Sequence, residues 1–218
     1  MSWVRIAHVS QRTVAMAAAM VAGGRYAARS DLRDAFASLD ALQVIEDVSG
    51  RFLSHRQADA LHAAYQHYGP GAPAGLPTSP LILDLACIEF DSELVKLGEK
   101  AFRYMDDVIV LGDDIGLGDH LVALVDRHLG KYGLAINEDK TAVYAKSARC
   151  VQMAASEVEV RLFPLDWLGH KVGPRELDIS DKTTERILRL TEQKQKLALR
   201  QFPLAQDGQN YQRIYANA

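Results

Sequence analysis

Apolar and polar positions change period several times along the chain. Residues 2–9 alternate loosely, as a strand does, and Gln11 to Ala22 form an Ala-rich run that predicts a buried helix ended by Gly23-Gly24. Arg29 to Leu32 predicts a short strand leading into Asp34-Ala35-Phe36-Ala37-Ser38. Asp40 to Val48 reads as a helix stopped by Ser49-Gly50. Ser54 with Gln57 three residues later is a capping box, so a helix starts there and runs to about His67. Gly69 to Pro77 is a Gly/Pro-rich loop. Thr78-Ser79-Pro80 then opens a long helix, a hydroxyl cap followed by Pro in the first turn. Leu81, Leu85, Ile88 and Leu94 recur along it at helical spacing.

Phe102-Arg103-Tyr104 and Val108 to Leu111 read as two strands, with Met105-Asp106-Asp107 at the bend between them. Asp119 to Tyr132 is an amphipathic helix closed by Gly133. Strands are expected near Lys140 to Ala145, Glu157 to Phe163 and Asp166 to Val172. Ser180 or Asp181 caps a final helix to about Gln201, and the tail after Pro203 reads as loosely ordered. Strands and helices intermix without a regular βαβ repeat. The expected class is therefore α+β, with a mainly antiparallel sheet packed on helices.

Composition narrows the picture. The chain has 218 residues, 48% of them hydrophobic, enough for one domain or one domain with an appended lobe. Its formal net charge is -3, so any nucleic-acid contact must come from local patches rather than a basic overall field. Cys87 and Cys150 are far apart and suggest neither a zinc site nor a disulfide framework, which points to the cytoplasm. Val14 to Ala22, behind Arg5 and Arg12, has some look of a signal peptide. It is too short to span a membrane, and the buried-helix reading is preferred.

Candidate chemistry gathers at Asp106-Asp107. Carboxylates at the tip of an apolar hairpin are costly unless a cation meets them. Such hard oxygen ligands suit magnesium. An exposed Asp-Asp turn is the plain alternative. Asp31, about 75 residues earlier, would complete the trio that a two-metal site needs. His55 and His62 share a helical face without further ligand residues and read as surface. Gly116-Leu117-Gly118 reads as a turn.

Several stretches resemble reverse transcriptases. Asp31-Leu32-Arg33-Asp34-Ala35-Phe36-Ala37-Ser38-Leu39 resembles the first catalytic motif of that family. Pro73-Ala74-Gly75-Leu76-Pro77-Thr78-Ser79-Pro80 is similar to its template- and nucleotide-positioning loop and helix, in the form found in retron-like bacterial enzymes. Tyr104-Met105-Asp106-Asp107 resembles the catalytic box. Gly133 to Asn137 with Lys140-Thr141 resembles the next motif, and Asp166-Trp167-Leu168-Gly169-His170 the primer-grip hairpin. The motifs occur in the family's order, over roughly residues 28 to 172.

The resemblance implies a right-hand polymerase palm over residues 26–160. Reduced fingers and a connecting helix would occupy 1–25, a primer-grip-like hairpin 161–179, and a partial thumb helix with tail 180–218. It implies an RNA-directed DNA polymerase that adds dNTPs to a primer 3′-hydroxyl. Asp31 and Asp106 would bind two magnesium ions, with manganese as a substitute, and Asp107 would stand beside them as a further metal-site acid. Asp34 and Ala35 would hold the triphosphate by backbone N–H groups, and Phe36 would be the steric gate under the sugar. Arg5, Gly75 and Tyr104 would also meet the nucleotide, and Lys140 would donate a proton to pyrophosphate. Pro77, Thr78, Ser79, Pro80, Trp167, Leu168, Gly169 and His170 would contact template–primer, with Lys182, Arg186 and Arg189 on the last helix. The bland readings are core for Phe36 and Trp167 and a solvated lysine for Lys140.

The implied partners are an RNA template, a DNA or RNA primer, dNTPs, a noncoding RNA and a protein supplying fingers, with no membrane. The chain departs from the family pattern at Ala74, where Gln is usual, and in having only about 30 residues before the first catalytic Asp. The expected setting is a retron-like or antiphage-defence system. A group II intron or diversity-generating enzyme is the alternative within the class. Outside it stand a catalytically weak RNA-binding or assembly subunit and a palm-fold nucleotide cyclase. The Thr78-Ser79-Pro80 helix and the Trp167 hairpin argue against the cyclase.

Overall fold

In the computed structural model, residues 5–6, 24–73, 75–98, 100–153, 156–174 and 177–201 are described. The elements are β1 (Arg5–Ile6), β2 (Tyr26–Asp31), α1 (Ala35–Ser38), α2 (Ala41–Val48), α3 (His55–Tyr68), α4 (Ser79–Ala86), α5 (Ile88–Leu97), β3 (Lys100–Tyr104), β4 (Asp107–Gly112) and α6 (Leu117–Leu129). They continue as β5 (Ala142–Ala145), α7 (Ala148–Met153), β6 (Val160–Leu162), β7 (Leu165–Trp167), β8 (His170–Val172), β9 (Leu177–Ile179) and α8 (Asp181–Gln201). Short 3₁₀ turns cover Gly130–Tyr132 and Glu138–Lys140. Of the strand expected over 2–9, Arg5–Ile6 is described. The helix expected at Gln11 to Ala22, Ala74 and the tail after Pro203 lie outside the described residues.

The chain divides into two compact units, Met1–Leu165 with Gly173–Glu176, and Asp166–Val172 with Leu177–Ala218. In the first, six strands run in the order β1-β3-β4-β2-β5-β6. The centre is antiparallel, as expected: β2 pairs with β4 and β5, and β3 with β4. The outer pairings, β1 with β3 and β5 with β6, are parallel.

Period-two alternation then sorts the sheet's side chains. Tyr26, Ala28, Val108, Val110, Val143 and Ala145 join the core that also contains Val44 and Ile45 of α2, Phe90 and Leu94 of α5, and Leu121 and Val125 of α6. By the same register Arg29 and Asp31 of β2 and Asp107 of β4 stand on the other face. The helices thus pack on one side of the sheet and the acids project from the opposite side.

Local signals shape the helices. Ser54 and Gln57 form the expected capping box at the start of α3, and Asp40 accepts from the Gln43 N–H at the start of α2. Gly133, at φ 76, closes the turn after α6. Other expectations are corrected. Thr78 makes no cap hydrogen bond; its own backbone is helical and its hydroxyl lies 3.1 Å from the Tyr65 hydroxyl. The long helix expected after it is broken at Cys87 into α4 and α5. Its buried apolar positions include Ile82, Leu83, Ala86, Phe90 and Leu94, whereas Leu81 is exposed. Gly116-Leu117-Gly118 is a helix start rather than a turn. A Cβ on Gly118 would lie 2.5 Å from Val143 Cγ2, so glycine lets α6 approach β5. Asp107 is the first residue of β4, leaving Met105 and Asp106 as the bend.

The second unit holds the three-stranded sheet β7-β8-β9 and α8. Leu168 and Gly169, both at positive φ, make the two-residue turn between β7 and β8. Ser180 caps α8 through the Thr183 N–H. Helix α7 and strand β9 carried no clear signal in the sequence.

Candidate active site

The site is built on the β3–β4 hairpin. Tyr104 and Asp107 pair across it, so its connection is Met105-Asp106. Two-residue hairpins need positive φ at the first central residue, and Met105 adopts φ 56 without being glycine. Arg103 supports that turn. Its Nη1 donates to the Met105 carbonyl at 3.0 Å. Its Nε and Nη2 donate to both oxygens of Asp91 on α5, at 2.8 and 2.7 Å. Nη2 also donates to Asp84 on α4 at 3.0 Å. Arg103 is fully buried, so this network of charge-assisted bonds lies in the interior. Burial pushes the Asp91 carboxyl above its usual range, and Arg103 opposes the shift.

Asp31 ends β2 directly opposite Asp107. Its carbonyl accepts from the Asn137 N–H at 2.8 Å, and the next N–H, of Leu32, donates to the Asp106 carbonyl at 3.0 Å. The first acid is therefore tied by backbone both to the hairpin turn and to the segment that carries Lys140. Lys140 Nζ donates to Asp31 Oδ1 at 2.9 Å, which raises the affinity of the lysine for its proton. Three chain segments, around residues 31, 106 and 140, meet here.

The three acids differ in their partners. Asp107 is engaged through both oxygens by Arg29, Nε at 3.1 Å and Nη2 at 3.0 Å. Asp106 makes no ion pair among the described residues. Burial pushes its carboxyl up, the nearby Asp31 adds to the shift and Lys140 opposes it. Burial also raises Asp107, against the pull of Arg29. Asp31 and Asp106 are hard oxygen donors of the kind magnesium takes. Asp107, with both oxygens on Arg29, is less suited to be a direct ligand. Among the described residues no three of His, Cys, Asp or Glu cluster tightly enough to hold a metal by themselves. Magnesium is commonly held by one or two carboxylates together with substrate phosphates, and Asp31 and Asp106 could supply such a pair.

A cleft of ≈ 550 Å³ opens beside Asp106, with Phe36, Asp34 and Ala35 on one wall. Asp34 sits at φ 44 before α1, a turn conformation that Asp tolerates. The loop after α3 is tied to the Phe36 segment. The Ala72 N–H donates to the Phe36 carbonyl at 2.6 Å. Gly71, at φ +90, passes so close that a Cβ would lie 2.8 Å from the Ala37 oxygen.

The other expected residues are placed as follows. Tyr104 is half-buried at the end of β3, and Gly75 is exposed at φ +89 in the loop. Pro77 is exposed, while Thr78 and Pro80 are half-buried. The Ser79 side chain is buried; its hydroxyl donates to the Pro73 carbonyl at 2.7 Å and approaches the Tyr65 hydroxyl, so it holds the loop from inside. Arg5 lies in β1 beside Phe102. Trp167, Leu168, Gly169, His170, Lys182, Arg186 and Arg189 belong to the second unit. Trp167 is buried, and His170 Nδ1 donates to the Leu168 carbonyl at 3.0 Å. Lys182, Arg186 and Arg189 are exposed along one stripe of α8. Reading the sequence missed Arg29, Arg103 and Tyr68, which also lines the cleft. Arg29 carried a usable signal, standing two residues before Asp31 on the same strand face.

A central antiparallel hairpin with Asp106 in its turn and Asp107 opening the next strand, a third acid opposite Asp107 and helices behind the sheet define a polymerase palm. The reverse transcriptase (RNA-dependent DNA polymerase) family matches residues 7–172, and the chain belongs to that family. Solved structures agree at the level of the fold. Telomerase from Candida albicans, determined with a fragment of telomeric RNA, superposes with a TM-score of 0.51 at 12% identity, over 83% of this chain and 34% of that one. Apo telomerase from Candida tropicalis gives 0.52 at 13%, over 82% and 37%. The chain thus spans about a third of the length of these telomerases. No curated protein sequence matches it.

Proposed function

We propose that the chain is the palm-bearing part of an RNA-directed DNA polymerase that adds dNTPs to a primer 3′-hydroxyl on an RNA template, in a retron-like or antiphage-defence setting. The observation that carries the reading is the meeting of Asp31, Asp106 and the Lys140 ammonium beside the Phe36 cleft. Asp31 and Asp106 would hold magnesium, which when bound lowers the pKa of the primer hydroxyl and steadies the triphosphate. Lys140, kept protonated by Asp31, is a proton source for leaving pyrophosphate. Phe36 would lie under the sugar and reject a 2′-hydroxyl by a clash. Asp34 and Ala35 open the first turn of α1, where helical N–H groups lack internal partners and can meet phosphate oxygens. Arg29 keeps Asp107 neutralised, a supporting role rather than a ligand's.

The test is primer extension on an RNA template with magnesium. Asp106→Asn should abolish extension while unfolding at the same urea midpoint or higher, because it removes a carboxylate that burial disfavours. Normal extension by this variant would overturn the site.

A further inference from the structure

We infer that Tyr68 is a nucleotide-binding residue of the cleft, the aromatic side chain on which the base of the bound nucleotide stacks. The inference rests on the nucleotide reading of this cleft and adds a residue that neither the sequence motifs nor the acids point to. Helix α3 carries two tyrosines one turn apart, and they have opposite fates. Tyr65 is fully buried, with its hydroxyl against those of Thr78 and Ser79. Tyr68, the last residue of the helix, is 53% exposed and lines the cleft that also holds Phe36 and Asp106.

Composition of the cleft narrows what Tyr68 can do. Asp34 and Asp106 are its acids, and Phe36 and Tyr68 are its aromatics; the other lining positions are Ala, Gly and Pro. The Ala, Gly and Pro positions bring no side chain that could read a base edge. With Phe36 under the sugar, the π-face left to grip a planar base is that of Tyr68, and any base can stack on it. Tyr68 lines the same cleft, just before the loop that is tied to Phe36. The bond from the Ala72 N–H to the Phe36 carbonyl and the close approach of Gly71 to the Ala37 carbonyl tie the loop that follows Tyr68 to the segment that carries Phe36. His67 meets the Tyr68 ring edge-on, with centroids 5.9 Å apart at 78°. A cleft of ≈ 550 Å³ lies within the range of small-ligand sites and can take one nucleotide.

Two measurements on the full chain test this. The first is single-nucleotide incorporation with each dNTP; the second is calorimetric titration of dATP in the presence of magnesium. Tyr68→Ala should raise KM for all four dNTPs by roughly 5- to 150-fold, the range set by loss of one base–aromatic stack, with kcat nearly unchanged. Tyr68→Phe and Tyr68→Trp should keep wild-type KM. Since Tyr68 is exposed, Tyr68→Ala should unfold at the wild-type urea midpoint. Equal loss in Tyr68→Ala and Tyr68→Phe would assign the contact to the hydroxyl and overturn stacking. Extension with unchanged KM in Tyr68→Ala would overturn the role of Tyr68 and leave the polymerase reading standing. Weaker dATP binding by Tyr68→Ala in a chain that does not extend primers would support Tyr68 and overturn polymerase activity. No dATP binding and no extension by the wild type would overturn both.

Discussion

Arg29 and Asp107 form a two-bond ion pair next to the candidate metal site, with side chains 19% and 14% exposed. A partly buried pair of this kind contributes most visibly when it is broken on one side, because the remaining charge stays desolvated. Arg29→Met should destabilise the fold by about 1–3 kcal/mol, the cost of leaving a charged group without its hydrogen bonds. Asp107→Asn should cost less, since burial already disfavours its carboxylate. The double variant should be more stable than the sum of the two losses. Urea unfolding of the four proteins measures the coupling. Strict additivity would mean that the two side chains do not depend on each other.

At the scale of elements, the hairpin turn is held from behind. Arg103 joins β3 to α4 and α5 and at the same time fastens the carbonyl of Met105. The break at Cys87 gives this network its geometry, letting Asp84 and Asp91 approach one guanidinium from two helices. Arg103→Gln removes the charge and leaves the two acids facing each other; a loss of about 3–5 kcal/mol is expected, as for other buried pairs broken on one side. Arg103→Lys keeps the charge but cannot reproduce the fork. It should unfold at a lower urea concentration and lower kcat for incorporation more than it raises KM, because the turn carries Asp106. Unchanged kcat in folded Arg103→Lys would show that the turn holds its shape without the guanidinium.

The whole molecule has a formal charge of -3, so nucleic-acid affinity must come from a local patch. In α8, Lys182, Arg186 and Arg189 recur at helical spacing and are exposed. If that stripe meets template–primer phosphates, replacing all three by Ala weakens binding at low salt and flattens its salt dependence. Each lost phosphate contact should reduce the log–log slope by roughly 0.7 to 0.9. Binding of an RNA–DNA primer–template between about 50 and 200 mM salt measures this, a range over which such contacts dominate. An unchanged slope would place the nucleic-acid path elsewhere.

The motif residues, the capping box at Ser54, the hairpin around Met105 and the Gly133 stop were legible in the sequence because each is a local matter of spacing, capping or backbone freedom. The α+β class followed from the same local signals. The sequence also offered Asp31, Asp106 and Asp107 as a group, and strand register brings Asp31 opposite Asp107. What separates the three acids was decided by the tertiary structure. Lys140 reaches Asp31 across 109 positions and Arg29 reaches Asp107 across 78. Such pairings depend on which strands become neighbours, and no local periodicity encodes that choice. The same holds for Ser79, whose hydroxyl turns inward to Pro73, and for the helix that breaks at Cys87 so that two acids can share Arg103. Tyr65 and Tyr68 make the point on one helix: identical side chains, one turn apart, become core and cleft wall because of what the rest of the chain places beside each.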